Sequence, residues 1–356
     1  MTTLATDALQ GNFDQPRRKA RISYRMALNE ALMQEMARDP RVVLLGEDIA
    51  GGMGAPGAQD TWGGAMGVTQ GLMGKFGRER VLDMPLQEAA FVGAAIGAAT
   101  LGLRPVAELM FNNFIGVCMD QLLNQAPKLR YMLGGKVTIP VTIRTVYGAG
   151  MRIAAQHSNA YHSILTHIPG LKVAMPSSAY DAKGLLISAI RDNDPVIFFE
   201  HIMLFDKEGE VPEEPYTIPF GEANVLREGK DVTIVAFGRM VHLATDAADA
   251  LRKAGIHCTV IDPRTTSPLD EDTILESVEE TGRLVVVDEA NPRCSIATDV
   301  VAMVSAKAFD SLKAPIKTVT APHSHVPFAP ELEDAYLPSV AKIEAAVRIV
   351  VGHRHG

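Results

Sequence analysis

The chain has 356 residues, 47% of them hydrophobic and 21% charged, which describes an ordinary soluble globular protein with room for two domains, each with its own core. A formal charge of −8 lacks the basic excess that a phosphate-binding face needs, and this argues against nucleic acid as the main partner. Cys118, Cys258 and Cys294 are far apart and odd in number, so they form neither a metal spacing nor a disulfide framework and fit a reducing cytoplasm.

Residues 1–20 hold no apolar signal core, and Asp7 and Asp14 interrupt what a mitochondrial transit peptide would keep free of acids. With a basic cluster at Arg17, Arg18, Lys19 and Arg21, they read as a mobile N-terminal arm. Ser23 as N-cap predicts a helix to residue 38, with Met26, Ala27, Leu32, Met33 and Met36 along one stripe and Asp39-Pro40 ending it. A short buried strand over 42–45 then delivers Gly46-Glu47-Asp48 at its carboxyl end, where ligands of parallel α/β sheets gather. The stretch 51–67 carries seven glycines and the only tryptophan, Trp62; it is either a substrate-facing loop or a surface loop that tolerates glycine.

A strand-like run over 80–84 turns at Pro85 and enters the uncharged segment 89–103. Its fifteen residues are too few for a membrane span, which needs about 20. They suit a buried helix on which Gly93, Gly97 and the alanines let another backbone approach closely. Glu88 stands at the mouth of this helix, and by position alone it is an acid favoured there by the helix dipole. Strands follow at 105–109 and 137–144, separated by a helix over 114–132 that Pro127 should kink, since an interior proline costs ~3 kcal/mol. A loop then carries Gln156-His157-Ser158, followed by strands at 171–175 and 195–200. Between those two strands, Ser178 and Asp181 start a helix through residue 190.

From 201 to 220 the pattern dissolves into acids and prolines, the composition of a linker. Beyond it strands are expected at 231–237, 257–262, 284–288 and 316–319, with helices over 241–254, 270–279 and 296–308. Such alternation predicts an α/β protein of two domains, 21–200 and 221–356, each a mainly parallel sheet flanked by helices.

Glu88 followed by Gly93 and Gly97, Arg104-Pro105, Glu108 and Asn113-Phe114 resembles the β chain of the thiamine-diphosphate-dependent component of 2-oxo-acid dehydrogenase complexes. The likeness continues through GED at 46–48, QHS at 156–158, HIPGLKV at 167–173, DAKGLL at 181–186 and AIRDNDPVIFFE at 189–200, and covers nearly everything from 22 to 350. It implies a transketolase-like fold with a pyrimidine-binding domain and a transketolase C-terminal domain. It makes Glu88 the carboxylate on the aminopyrimidine, Phe114 the ring packed against it, and Glu47 a further cofactor-pocket acid. His157 becomes the histidine facing the reacting group, although a backbone-satisfied loop histidine and a core phenylalanine are the plainer alternatives for His157 and Phe114. His167 fits the family pattern as support for the next Pro-Gly turn, while His162 falls where the family varies. Main-chain carbonyls of Val141, Ala189, Asp192 and Asp194 align with a structural potassium site of some relatives. His323 and His325, and the two histidines of the terminal Gly-His-Arg-His-Gly, complete no metal set.

No Gly-Asp-Gly precedes a suitably spaced asparagine, and no P-loop or Gly-x-Gly-x-x-Gly follows a strand. The chain therefore carries half a cofactor site. The resemblance assigns the magnesium and diphosphate half to a separate α subunit, in an α2β2 heterotetramer that serves a lipoyl-bearing dihydrolipoamide acetyltransferase. Segments such as Ala55-Pro56-Gly57, Thr61-Trp62-Gly63-Gly64 and Glu108-Leu109-Met110-Phe111 are similar to acetoin dehydrogenases, with pyruvate and branched-chain 2-oxo acids as competing substrates. Absence of Arg and Lys between Arg41 and Lys75 favours a neutral substrate. A non-catalytic assembly subunit would have no reason to keep Glu88, Phe114 and His157 together.

Overall fold

Runs of β-branched residues alternate with helical segments twice along the chain, and each series makes its own sheet. The computed structural model describes residues 19–51 and 63–353. Its first half runs β1 (Lys19–Ser23), α1 (Tyr24–Arg38), β2 (Val42–Gly46), α2 (Leu72–Phe76), β3 (Val81–Asp83), α3 (Glu88–Thr100) and β4 (Arg104–Phe111). It continues with α4 (Leu129–Met132), β5 (Thr142–Tyr147), α5 (His162–Thr166), β6 (Lys172–Ala174), α6 (Ala179–Arg191), β7 (Val196–His201) and β8 (Glu208–Pro212). The second half runs β9 (Asn224–Arg227), β10 (Val232–Ala236), α7 (Met240–Arg252), β11 (Cys258–Asp262), β12 (Thr265–Ser267) and α8 (Glu271–Thr281). It ends with β13 (Leu284–Val287), α9 (Ile296–Lys307), β14 (Lys317–Val319), α10 (Pro330–Tyr336) and α11 (Val340–Val351).

The larger sheet has the order β12-β6-β7-β5-β4-β2-β3 and the smaller β14-β13-β10-β11-β9; each is parallel except for one antiparallel edge strand, β12 and β9 respectively. Side chains alternate across a strand, so β2 sends Val43 and Leu45 toward α3 and Val42 and Leu44 toward α1 and α6. With helices on both faces, the central strands are buried throughout, which is why β5 and β10 are rich in β-branched residues. Among the described residues no helix is long and apolar enough to cross a membrane.

Several expectations meet the structure directly. Ser23 accepts from the Met26 amide at 3.2 Å and Ser178 from the Asp181 amide at 3.1 Å, capping α1 and α6. The buried face of α1 is Tyr24, Ala27, Leu28, Ala31, Leu32, Glu35 and Met36, which leaves Met26 exposed, one step round from the expected stripe. Glu35 is buried there because Arg38 and Arg191 both bind its carboxylate. α3 is buried on one face alone: Phe91, Val92, Ala95, Ile96 and Ala99 enter the core, while Gly97 faces outward.

Other expectations are corrected. The helix over 114–132 is not one kinked helix. A 3-10 turn (Asn112–Gly116), a π turn (Gln121–Gln125) and α4 replace it. Pro127 can donate no helical bond, and the chain adapts before it by pairing the Ala126 amide with the Gln121 carbonyl five residues back. The acidic, proline-rich stretch after residue 200 contains β8, which pairs antiparallel with β1. β12 crosses from the second half to extend the first sheet. α10 and α11 were not foreseen. The N-terminal arm over 1–18 and Trp62 lie outside the described residues.

The Ser178 cap gives a direct check on this reading. Ser178→Ala should cost about 1 kcal/mol and lower the midpoint of thermal unfolding by roughly 2–4 °C. An unchanged melting curve would mean that Asp181, held also by Arg264 at 2.9 Å, fixes the start of α6 without the cap.

Candidate active site

Four strand ends of the larger sheet converge on one place. β2 ends at Gly46 and releases Glu47 and Asp48; β3 ends at Asp83, whose carboxylate accepts the Ala50 amide at 2.6 Å and so holds the β2 exit. The turn after β3, tied by the Met84 amide to the Gly46 carbonyl at 2.8 Å, places Glu88 as the first residue of α3. β4 ends at Phe111, and the 3-10 turn beyond it presents Phe114. β5 leads into the loop that carries His157. The imidazole meets Phe111 edge-on at 4.9 Å between centroids and Phe114 at 5.6 Å, and the two phenylalanines meet each other at 6.1 Å. Three rings at mutual right angles form one wall.

Charge at this wall is negative. Glu47 is half-buried, and its carboxyl is raised above the ordinary range by desolvation first, then by the neighbouring charges of Asp48 and Glu88. Burial pushes the Cys118 thiol up to about 12, with the Glu88 charge adding to it. Glu88 is therefore within electrostatic reach of both, so the predicted pair of acids is brought to one locus. A network of asparagines fixes the arrangement. The Asn112 amide donates to the Asn159 carbonyl at 2.9 Å, and Asn113 donates to the Asn159 side chain at 2.6 Å and to the Ala155 carbonyl at 3.4 Å. Beside His157 the Ser158 hydroxyl is buried with no hydrogen-bond partner.

Beneath the site Arg144 is buried between two carboxylates. It donates to Glu108 at 2.7 Å and to both oxygens of Glu200 at 2.6 and 2.8 Å. Burial raises the Glu200 carboxyl to about 7, against the lowering pull of Arg144. Sequence reading quoted Glu108 and Asn113 as motif letters without assigning them work, and it missed Asn112, Asn159 and Arg144 altogether. A charged residue inside a β-branched run such as Thr-Ile-Arg-Thr-Val-Tyr was the available signal, because charges in a central strand survive only when paired.

Two family profiles account for most of the chain: the transketolase pyrimidine binding domain over 20–206 and the transketolase C-terminal domain over 221–343. An acetoin:2,6-dichlorophenolindophenol oxidoreductase subunit beta from Cupriavidus necator is 62% identical over 328 residues, covering 92% of this chain and 97% of the relative. Its namesake from Bacillus subtilis is 56% identical, over 93% and 97% of the two chains. The chain belongs to the β subunits of the thiamine-dependent acetoin and 2-oxo-acid dehydrogenases. A pyruvate dehydrogenase E1 component subunit beta of Bacillus subtilis stands further off, 43% identical over 93% of this chain and 99% of the relative. A split gene transketolase, described as an inactive beta4 tetramer, shares the fold at a TM-score of 0.75, 24% identity, and coverage of 94% of this chain and all of its own.

The dehydrogenase β-subunit family implies thiamine diphosphate, and these residues fit one part of it. A carboxylate at a helix start, an aromatic wall and an imidazole suit an aminopyrimidine. Among the described residues no group of three or more His, Cys, Asp or Glu could hold a metal ion. Val141, Ala189, Asp192 and Asp194 gather where the approach to β5 meets the end of α6. The carbonyls of Val141, Ala189 and Asp192 accept from Val196, from the Asp192 amide and from Arg104, at 3.0, 3.3 and 2.8 Å, each keeping a second lone pair. Lys172 and Arg130 pair with the carboxylates of Asp192 and Asp194. His162 lies away from the site, buried against Asp288 of the second half at 3.2 Å; His167, His323 and His325 are exposed.

The buried triad sets a stability prediction with a defined sign. Because the folded Glu200 carboxyl titrates near 7 rather than near its ordinary 4.5, the stability it contributes is full below about 4.5 and is lost as pH rises through about 7. Arg144→Met leaves two carboxylates uncompensated, so it should cost about 3–5 kcal/mol near pH 8 and less near pH 6, as measured by urea unfolding. A cost that does not change with pH would contradict the raised Glu200 carboxyl.

Proposed function

We propose that this chain is the β subunit of an acetoin dehydrogenase, and that with an α subunit it cleaves acetoin and passes the acetyl group to a lipoyl-bearing acetyltransferase. The observation that carries this is Glu88 at the start of α3, beside an aromatic wall closed by His157, on a chain whose sequence has no Gly-Asp-Gly signature for a metal and diphosphate. When bound, thiamine diphosphate supplies the carbon nucleophile that attacks the substrate carbonyl. Glu88 would share a proton with the pyrimidine ring nitrogen, and the position of that proton sets the tautomer. Phe111 and Phe114 exclude water from that bond, which strengthens it. His157 orients the lipoyl acceptor or moves a proton there, and Glu47, whose carboxyl is raised by desolvation and then by the Asp48 and Glu88 charges, lines the same locus. The overall reaction balances: acetoin splits into acetaldehyde and an acetyl group plus one hydrogen, which the lipoyl disulfide takes up as a thioester and a thiol.

The α subunit supplies magnesium and the diphosphate pocket, in an α2β2 heteromer. Support for that partner comes from α3, whose outer face is uncharged and bears Gly97 in the open, with Leu86 and Leu101 at its two ends 76% and 87% exposed. A potassium ion on the carbonyls of Val141, Ala189, Asp192 and Asp194 belongs to the same reading, supported by their gathering at one corner. Free thiols at Cys118, Cys258 and Cys294 support a cytoplasmic location.

Two measurements test the proposal. Glu88→Gln in the assembled α–β enzyme should lose at least ~100-fold in turnover, the scale of a lost acid–base contact, with assembly intact; near-normal turnover would return Glu88 to a helix-start acid. The wild-type assembly should reduce dichlorophenolindophenol with acetoin at a higher kcat/KM than with pyruvate. A clear preference for pyruvate, with release of labelled carbon dioxide, would move the chain to the pyruvate dehydrogenases.

A further inference from the structure

The loop that brings His157 to the aromatic wall is awkward for its own sequence. Gly148 and Gly150 have φ of +97° and +120°, and the non-glycine residues Arg152 and Ala154 sit at +60° and +58°. Left-handed backbone at non-glycine residues persists only where the surroundings over-determine it. Both glycines are also required by crowding: a Cβ at Gly148 would lie 2.3 Å from His201 Nε2, and one at Gly150 2.8 Å from Met203 Cγ.

The restraint comes chiefly from the other half of the chain. The Ala149 amide donates to Glu289 at 2.5 Å, just past β13, and the Gly150 amide donates to Glu333 on α10 at 3.0 Å. Arg152 reaches across to donate to the second oxygen of Glu333 at 2.6 Å, to Asp334 at 2.7 Å and to the Pro330 carbonyl at 3.0 Å. Glu289 is fixed in turn by His201 Nε2 at 2.7 Å. Glu333 and Glu289 are both buried, and the partners of their carboxylates are the loop amides, Arg152 and His201, all of the first half. The first half contributes the closing bond from the Gly148 amide to the Asn159 carbonyl at 3.2 Å, and the Asn113 contact to Ala155.

We propose that the C-terminal half clamps the catalytic loop: Glu333 and Glu289 hold residues 149–152 in place so that His157 meets Phe111 and Phe114, and Arg152 is a positioning residue for acetyl transfer. The role of Arg152 in transfer rests on the reading of His157 given above; the clamp itself does not. On this view the second domain, which supplies no residue to the wall, still tunes the reaction through α10. The position of a loop imidazole is sensitive to such support, because a misplacement of about 1 Å can cost on the order of 100-fold in rate.

The test uses the full β chain assembled with its α partner, as Arg152→Met, Arg152→Lys and Glu333→Gln. Glu333 is buried and its variant stands second, behind Arg152, whose side chain is partly exposed. Hydrogen-exchange mass spectrometry of the peptide spanning 148–157 should show the amides of Ala149 and Gly150 exchanging about tenfold faster in Arg152→Met, with local opening confined to that loop. Reductive acetylation of a lipoyl domain should fall by roughly 10- to 100-fold in kcat, while proton–deuterium exchange at the thiazolium carbon keeps its wild-type rate. Arg152→Lys should restore part of both losses. Unchanged protection of the loop in Arg152→Met and Glu333→Gln would overturn the clamp. Loss of thiazolium exchange in parallel with transfer would reduce Arg152 to a general structural residue. A His157→Ala control that leaves transfer intact would refute the role of His157, and the loop amides would then decide the clamp by themselves.

Discussion

One guanidinium buried between two carboxylates governs how the upper end of the larger sheet is built. Arg144 lies opposite Glu108 on the neighbouring strand and grips Glu200 from the strand on its other side, so a single cation links β4, β5 and β7. Two buried acids cannot share that space without it. The β2 exit then has to fit around Glu108: a Cβ at Gly46 would lie 3.0 Å from the Glu108 Cβ, and Gly64 packs against its carboxylate. The turn that presents Glu47, and the near end of the glycine-rich loop, thus take their positions from the triad.

What was legible in the sequence follows from how local its cause is. Ser23 and Ser178 announce α1 and α6 because a cap needs nothing beyond three residues of chain. Parallel strands buried on both faces announce themselves by short unbroken apolar runs, and Val42-Val43-Leu44-Leu45 is the plainest case. The region 114–132 misled because its apolar periodicity is helical while Pro127 denies the bonds a continuous helix needs. β8 and β12 were invisible for a different reason. Short edge strands carry little pattern of their own, and each forms only because a remote partner, β1 or β6, leaves an edge open to it.

The site divides along the same line. Glu88, Phe114, Glu47 and His157 could be named because motif order carries them, and the structure gathers them at the ends of neighbouring strands. Their supports could not be named. Asn112 and Asn159 are separated by 47 positions, and Arg152 and Glu333 by 181, so nothing in local spacing connects them. His162, adjacent in sequence to the loop of His157, pairs instead with Asp288 of the second half, which shows how weakly proximity along the chain predicts which side chains meet.

The half-exposed α3 has a cellular consequence. A helix whose outer face is alanine and glycine, with Leu86 and Leu101 uncovered at its ends, is poorly hydrated surface in a chain that stands alone. Copies made in excess of their partner would be the ones that chaperones hold and proteases remove.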